Sequence, residues 1–297
     1  MNRRILLFVV VLTVALSAWS QLLWRVSGNG LEKPSFLMGT HHFAPADFID
    51  SVSGLNDAIR SCDAVYGEIH RDSMMNIQAQ QRVAMAMVAP ADSTLDKVLT
   101  PEQYAVVKRV VDGYLAPAGI TLASLNMLKP AGVSIQLQAL QALKFFKDFD
   151  HNKQIDRSVQ NRGEQAGKTL GGFETVDEQV AILFGTPIAD QAEGLVDVCE
   201  HDADFERVSI ELAEAYVRED LDFMLRQIVT PDAGLAPTDT ELELLLWGRN
   251  RRWVEKLKAL MPQQSVLVCV GAGHLPGEKG LIALLRDAGY VVEPVSK

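Results

Sequence analysis

Ser265-Val266-Leu267-Val268-Cys269-Val270-Gly271-Ala272-Gly273-His274 opens the last structured unit of the chain. An unbroken apolar run of this length, closed by glycine, predicts a buried strand over 265–270. A loop over 271–280, a helix over 281–288 and a strand over 290–295 follow it. The N-terminal end has a similar character. Gln21–Val26 predicts a strand, Ser27-Gly28-Asn29-Gly30 a turn, and Ser35–Met38 a second strand, so the two pair as a hairpin. The second strand runs into Gly39-Thr40-His41-His42, a Gly-x-x-His pattern that Gly271-Ala272-Gly273-His274 repeats. In both copies the glycine is expected to let the chain turn off the strand end, and the histidine to project at the rim of the sheet. If the strands are neighbours, His42 and His274 come together. Imidazole is the commonest metal-ligating side chain and suits zinc, manganese, iron or copper. One such motif alone reads as a hydrogen-bonded turn. Two in matching contexts make a candidate site.

Glu68 ends the predicted strand Ala64–Ile69, where a carboxylate fits a metal ligand or a general base. Without the two histidines it would read as an ordinary exposed glutamate. His70 lies two residues on and shares a face with Glu68 if the strand continues; it is a lesser candidate. His41 points away from His42 if the backbone is extended there.

Helical patterns fill most of the rest. They cover 46–60, 73–88, 101–115 behind Thr100-Pro101, 121–128, 133–146, 155–166, 189–229 and 239–260. Thr169–Phe173 predicts a short strand, and Thr175-Val176-Asp177-Glu178 a capping box. Strands therefore lie near both ends with one more in the middle. The expected fold class is α/β, with mixed sheets assembled from N- and C-terminal segments. Helices flank the sheets, and a large helical insertion occupies about residues 73–150 of a domain spanning 21–297. Asp148-Phe149-Asp150-His151-Asn152 opens like a calcium loop but fails, with Lys153 where glycine and Val159 where glutamate are required. The Met74–Met87 stretch reads as core or surface packing rather than a cofactor box.

The chain has 297 residues, is 48% hydrophobic and carries a formal charge of -10, so a sizeable core is within reach. With no Lys/Arg-rich run, no nucleic acid is expected as a partner. Arg3 and Arg4, the apolar run Ile5–Ala18 and the small residues Ala18 and Ser20 predict a signal peptide over 1–20. Its removal leaves a charge of -12, and the protein is expected to be exported, periplasmic or extracellular. The membrane enters only if this segment stays uncleaved. The three cysteines, Cys62, Cys199 and Cys269, leave at least one thiol unpaired. Cys269 reads as a core residue, and a Cys62–Cys199 disulfide is not relied on.

Phe36-Leu37-Met38-Gly39-Thr40-His41-His42 resembles the N-terminal motif of the TraB/GumN/Tiki superfamily. The run Arg249-Asn250-Arg251-Arg252-Trp253, then Val266–Val270 and Gly271–Leu281, resembles its C-terminal signature. Glu68 after Asp63 matches the acidic position, and Gly167–Thr175 with Gln179 resembles a central motif. The likeness spans about residues 22–295. It implies a fold similar to the erythromycin-esterase and haem-binding ChaN-like proteins. The Tiki branch implies metal-dependent proteolysis, with His42, Glu68 and His274 as metal or catalytic residues and a divalent ion (Mn, Co or Zn) as cofactor. Arg249 matches the family arginine, expected to stabilise an oxyanion or orient Glu68. Glu174 would fix a histidine or serve structure alone. His41 departs from the pattern, in which this position is apolar. The expected function is a metal-dependent hydrolase of the peptidase type, on a peptide or small-molecule substrate. The alternatives are a non-catalytic haem-, metal- or peptide-binding exported protein, and a metal-free esterase with a histidine base assisted by Glu68.

Overall fold

The structure is a computed structural model that describes residues 21–146, 150, 153–231 and 236–295. The expected signal peptide and most of the rejected calcium-like loop lie outside the described residues. β1 (Leu23–Gly28) and β2 (Ser35–Thr40) form the predicted hairpin. With β3 (Ala64–Ile69), β4 (Thr169–Glu174), β5 (Val266–Gly271) and β6 (Tyr290–Pro294) they make one six-stranded mixed sheet in the order β4-β3-β5-β2-β1-β6. The two ends of the chain interleave. β5 lies between β3 and β2, parallel to both, and β6 pairs antiparallel with β1 at the sheet's edge. β4 is parallel to β3. The expected α/β class holds.

β5 shows why its sequence reads as it does. Val266, Leu267, Val268, Cys269 and Val270 are all fully buried. A strand with parallel neighbours on both sides and helices on both faces has no polar face to show.

α1 (Leu55–Ser61) connects toward β3. Between β3 and β4 come α2 (Arg71–Met75), α3 (Ile77–Met87), α4 (Leu95–Val98), α5 (Pro101–Leu115), α6 (Pro130–Phe145) and α7 (Ile155–Gln165). Between β4 and β5 come α8 (Val176–Phe184), α9 (Ile188–Glu200), α10 (Asp202–Val217), α11 (Leu221–Val229), α12 (Asp239–Leu242) and α13 (Gly248–Leu260). α14 (Leu281–Asp287) precedes β6. The caps at Thr100 and Thr175 form as the sequence predicts. The long helical region expected over 189–229 divides into three helices. Glu219 takes a left-handed backbone, φ 60°, and Asp220 then caps α11 by accepting from Phe223 N–H at 3.0 Å. The expected 121–128 helix shrinks to one tight turn, Leu122–Leu125. No helix of the described residues is long and apolar enough to cross a membrane.

Two hydrophobic cores result. One surrounds the sheet. The other lies among α5, α6 and α9, with Val111, Leu137 and Leu195 fully buried. Cys62 belongs to the first and Cys199 to the second, and all three cysteines are free thiols.

Gly39 serves a different purpose from the one expected. β2 continues through it to Thr40, so the chain does not turn there. A Cβ at Gly39 would stand 3.1 Å from Ala272 Cα and 3.1 Å from Leu275 Cδ1. Glycine is needed because the turn of the second Gly-x-x-His motif packs directly on the strand of the first. Gly39→Ala overpacks this contact and is expected to destabilise the protein by about 1–3 kcal/mol. Urea unfolding checks it; unchanged stability would contradict the packing of these two motifs.

Candidate functional site

Four parallel strands finish at one edge of the sheet, with Thr40, Glu68-Ile69, Glu174 and Gly271 at their carboxyl ends. Ligands of parallel α/β sheets bind outside this edge. α13 crosses it and presents Arg249 and Trp253, one helical turn apart on one face. A π-helical turn, Glu243–Trp247, leads into α13. Such turns inside α-helices are frequent at functional sites. Gly248 sits at its end, where a Cβ would meet Glu243 O at 2.6 Å.

Arg249 is buried and uses all five of its N–H donors. Nε donates to Glu174 Oε1 at 2.8 Å and Nη2 to Glu174 Oε2 at 2.7 Å. Nη2 also donates to Glu68 Oε2. Nη1 donates to Leu245 O at 3.1 Å and lies 3.3 Å from His274 Nε2. Glu174 is buried too and accepts from Trp253 Nε1 at 3.2 Å and from Gln179 Nε2 at 3.4 Å.

The proton on His274 follows from its partners. Asn250 Nδ2 donates to two carbonyls, Lys279 O at 2.9 Å and His274 O at 3.3 Å. Its Oδ1 is therefore turned to His274 Nδ1, 2.6 Å away, and accepts a hydrogen bond from an Nδ1–H. Arginine only donates, so Nε2 meets Arg249 with its lone pair. His274 is neutral with a bare Nε2. Burial, helped by the Arg249 charge and opposed by Glu68, brings its pKa down to about 4. Trp253 packs on the ring with centroids 4.5 Å apart.

Glu68 Oε1 accepts the Gly271 N–H at 2.8 Å and lies 3.8 Å from His274 Nε2. Burial opposes its ionisation. The charges of protonated His274 and of Arg249, with the Gly271 N–H, outweigh burial and hold its pKa at about 2. At neutral pH, with His274 uncharged, Arg249 is the cation that keeps Glu68 ionised.

His42 is exposed, at 61% of its side chain, and its Nδ1 lies 3.6 Å from Asp156 Oδ1. That oxygen is buried and has no hydrogen-bond partner. Asp156 foremost, and Glu68 with it, raise the His42 pKa. A cavity of about 350 Å³ joins these groups, lined by Thr40, His42, Glu68, Asp156, Gln160 and Arg249. His274 stands behind Glu68 and Arg249 rather than on the cavity wall.

The edge thus gathers Glu68, Arg249, His274 and Glu174 in contact, and sets His42 on the same cavity as Glu68 and Arg249. His41 packs on Tyr216 and Phe43 and accepts the Phe43 N–H, away from the cavity. Burial, then the His42 charge, bring its pKa down to about 4. His70 caps α2, its Nδ1 accepting from Asp72 N–H at 3.1 Å. Asp156, Asn250 and Trp253 carry roles that sequence reasoning did not assign. Asn250 and Trp253 lie in the quoted Arg249–Trp253 run, whereas Asp156 reads as an ordinary acidic residue in the first turn of a helix.

The donors suit a divalent ion in kind: a neutral imidazole with a bare Nε2, ionised Glu68, and the His42–Asp156 pair. As placed, Arg249 engages both His274 and Glu68. Among the described residues no group of three or more His, Cys, Asp or Glu is drawn together to hold an ion.

A mixed α/β sheet whose parallel strands end in one polar cavity defines an α/β protein with its site at the carboxyl edge. The chain matches the model of the TraB/PrgY/gumN family over residues 22–294 and belongs to that family. Comparison with the curated proteins and with the solved structures finds no match.

His41 and His274 titrate near 6.5 when unfolded and near 4 when folded. The unfolded chain binds more protons in that window, so stability falls as pH drops from 6.5 to 4. Glu68, lowered to about 2, loses its contribution from about 4.5 downward. Thermal unfolding in chelator across pH 7 to 4 checks this; a flat midpoint would contradict these buried environments.

Proposed function

We propose that this chain is a hydrolase of the peptidase type, exported to the periplasm or beyond, acting in the cavity between His42 and Glu68. Its proposed cofactor is a divalent ion (Mn, Co or Zn) with His42, Glu68 and His274 as ligands. The observation that carries the reading is Glu68. It is an ionised carboxylate at the carboxyl edge of the sheet, touching Arg249, beside His274, and facing the cavity that His42 lines.

When bound, an ion supplies a water of lowered pKa and a Lewis acid for a carbonyl. The chain's own residues support this chemistry. Asn250 holds His274 in the tautomer that leaves Nε2 bare, the usual arrangement behind a metal-ligating imidazole. Glu68, Glu174 and Asp156 outnumber Arg249 and Arg252, so with His42 neutral the site keeps a net negative formal charge, which attracts a cation. His42 must be neutral to hold an ion, and its raised pKa, set by Asp156 beside it, makes a proton compete with the ion there. Arg249, its donors all engaged, lends the cavity a fixed positive charge that favours negative charge developing on a bound carbonyl.

A second reading is a metal-free hydrolase, with His42 as base oriented by Asp156 and Arg249 as the cation beside Glu68. It is favoured by Arg249, which already fills the space between Glu68 and His274.

The test pairs metal binding with hydrolysis. On the first reading, Mn, Co or Zn raises the melting temperature of the wild type and not of His42→Ala, His274→Ala or Glu68→Gln. Hydrolysis of fluorogenic peptides then stops in chelator and in all three variants, with losses of about 100-fold or more. Chelator-insensitive hydrolysis lost in His42→Ala supports the second reading. Absence of any hydrolysis with and without metal overturns both.

A further inference from the structure

Beside the polar cavity lies a second one of about 300 Å³, and the two share His42 and Gln154 as their common wall. Its other walls are mostly apolar. Phe43 comes from the turn after β2, and Ile135, Ala139 and Leu143 come from α6. The three α6 residues recur every four positions, so they form one stripe along the helix. Val133 and Leu137 of the same helix are fully buried in the second core. The 135–139–143 stripe is therefore not committed to that core. Leu143 is left 53% exposed and Ala139 is exposed as well. Phe43 is held in place by stacking on Phe146, with centroids 5.5 Å apart and planes 11° from parallel.

Single exposed leucines need no explanation, but here the apolar residues line one cavity that borders a charged site. Apolar walls with one polar side suit a ligand built the same way, with a polar group at His42 and a hydrocarbon group next to it. A volume near 300 Å³ is at the lower end for ligand pockets and fits one large side chain. The apolar character continues along the polar cavity itself, where Leu183 and Leu245 are 46% and 41% exposed.

We propose that the second cavity is a specificity subsite for an uncharged aromatic or branched aliphatic side chain of a peptide, adjacent to the bond held between His42 and Glu68. This rests on the reading of the polar cavity as a hydrolytic site for peptides. Charged residues are disfavoured at this position, because packing against Phe43 and Ile135 strips a charge of its hydration.

Binding is measured apart from turnover, through the ring resonances of His42, which stands at the junction. The probes are N-acetyl-leucinamide, N-acetyl-phenylalaninamide and N-acetyl-glycinamide. The first two are expected to saturate the His42 shift at concentrations at least about tenfold lower than the glycine compound. Ala139→Trp, which fills the cavity, and Leu143→Asp, which charges it, abolish that preference. Both residues are exposed, so the fold tolerates the changes, and melting temperatures verify it. Equal binding of the three probes, or a preference that survives both variants, overturns the subsite. If the probes bind as expected and no peptide is cleaved, the subsite stands and the hydrolase reading falls. If peptides are cleaved without regard to the neighbouring residue, equally by wild type and both variants, the subsite falls and the hydrolase reading stands.

Discussion

The guanidinium of Arg249 holds this edge of the molecule together. It spends two donors on Glu174, one on Glu68, one on a backbone carbonyl and one on His274. A buried charge is costly unless paired and fully hydrogen-bonded, and each member of this group meets that condition through the others. Glu174 is tolerable inside because Arg249 and Trp253 satisfy it. The pKa of Glu68 stays low against burial because the charges of protonated His274 and of Arg249, with the Gly271 N–H, favour its ionised form. Through these contacts α13 is tied to the ends of β3, β4 and β5 at once. Arg249 thus organises the fold and sets the charge of the site in the same act.

The twin Gly-x-x-His motifs are alike in sequence and unlike in environment. Both follow parallel, neighbouring strands, and Gly39 of the first is pressed by Ala272 of the second. Yet His274 is buried, neutral and held by Asn250, while His42 is exposed and paired with Asp156. One imidazole is fixed and the other is free to meet a ligand. That division of labour, on either side of Glu68, is what the edge offers chemically.

Much of this was legible in the sequence because it is local. The apolar run 266–270, the capping boxes at Thr100 and Thr175, the hairpin and the strand-end position of Glu68 each follow from a few neighbouring residues. The break between α10 and α11 was not, since Glu219 in a left-handed backbone carries no glycine signal. Contacts across long separations were equally hidden. Nothing near Asp156 in the chain points to His42, and nothing near Glu174 points to Arg249, 75 residues away. The purpose of Gly39 was misread for the same reason: the atom it makes room for lies more than two hundred positions further on. His41 beside His42 was ambiguous by spacing alone, and packing on Tyr216 resolves it.

The central claim is that burial, with the Arg249 charge, keeps His274 neutral, while Asn250 fixes its proton on Nδ1 and the Nε2 lone pair faces Arg249. Nitrogen-15 NMR of the His274 ring in metal-free protein tests it directly. The account predicts one neutral Nδ1–H tautomer from pH 8 to below pH 5, with Asn250→Leu releasing it. A proton on Nε2, or a ring that titrates near 6.5 like an exposed histidine, would contradict it.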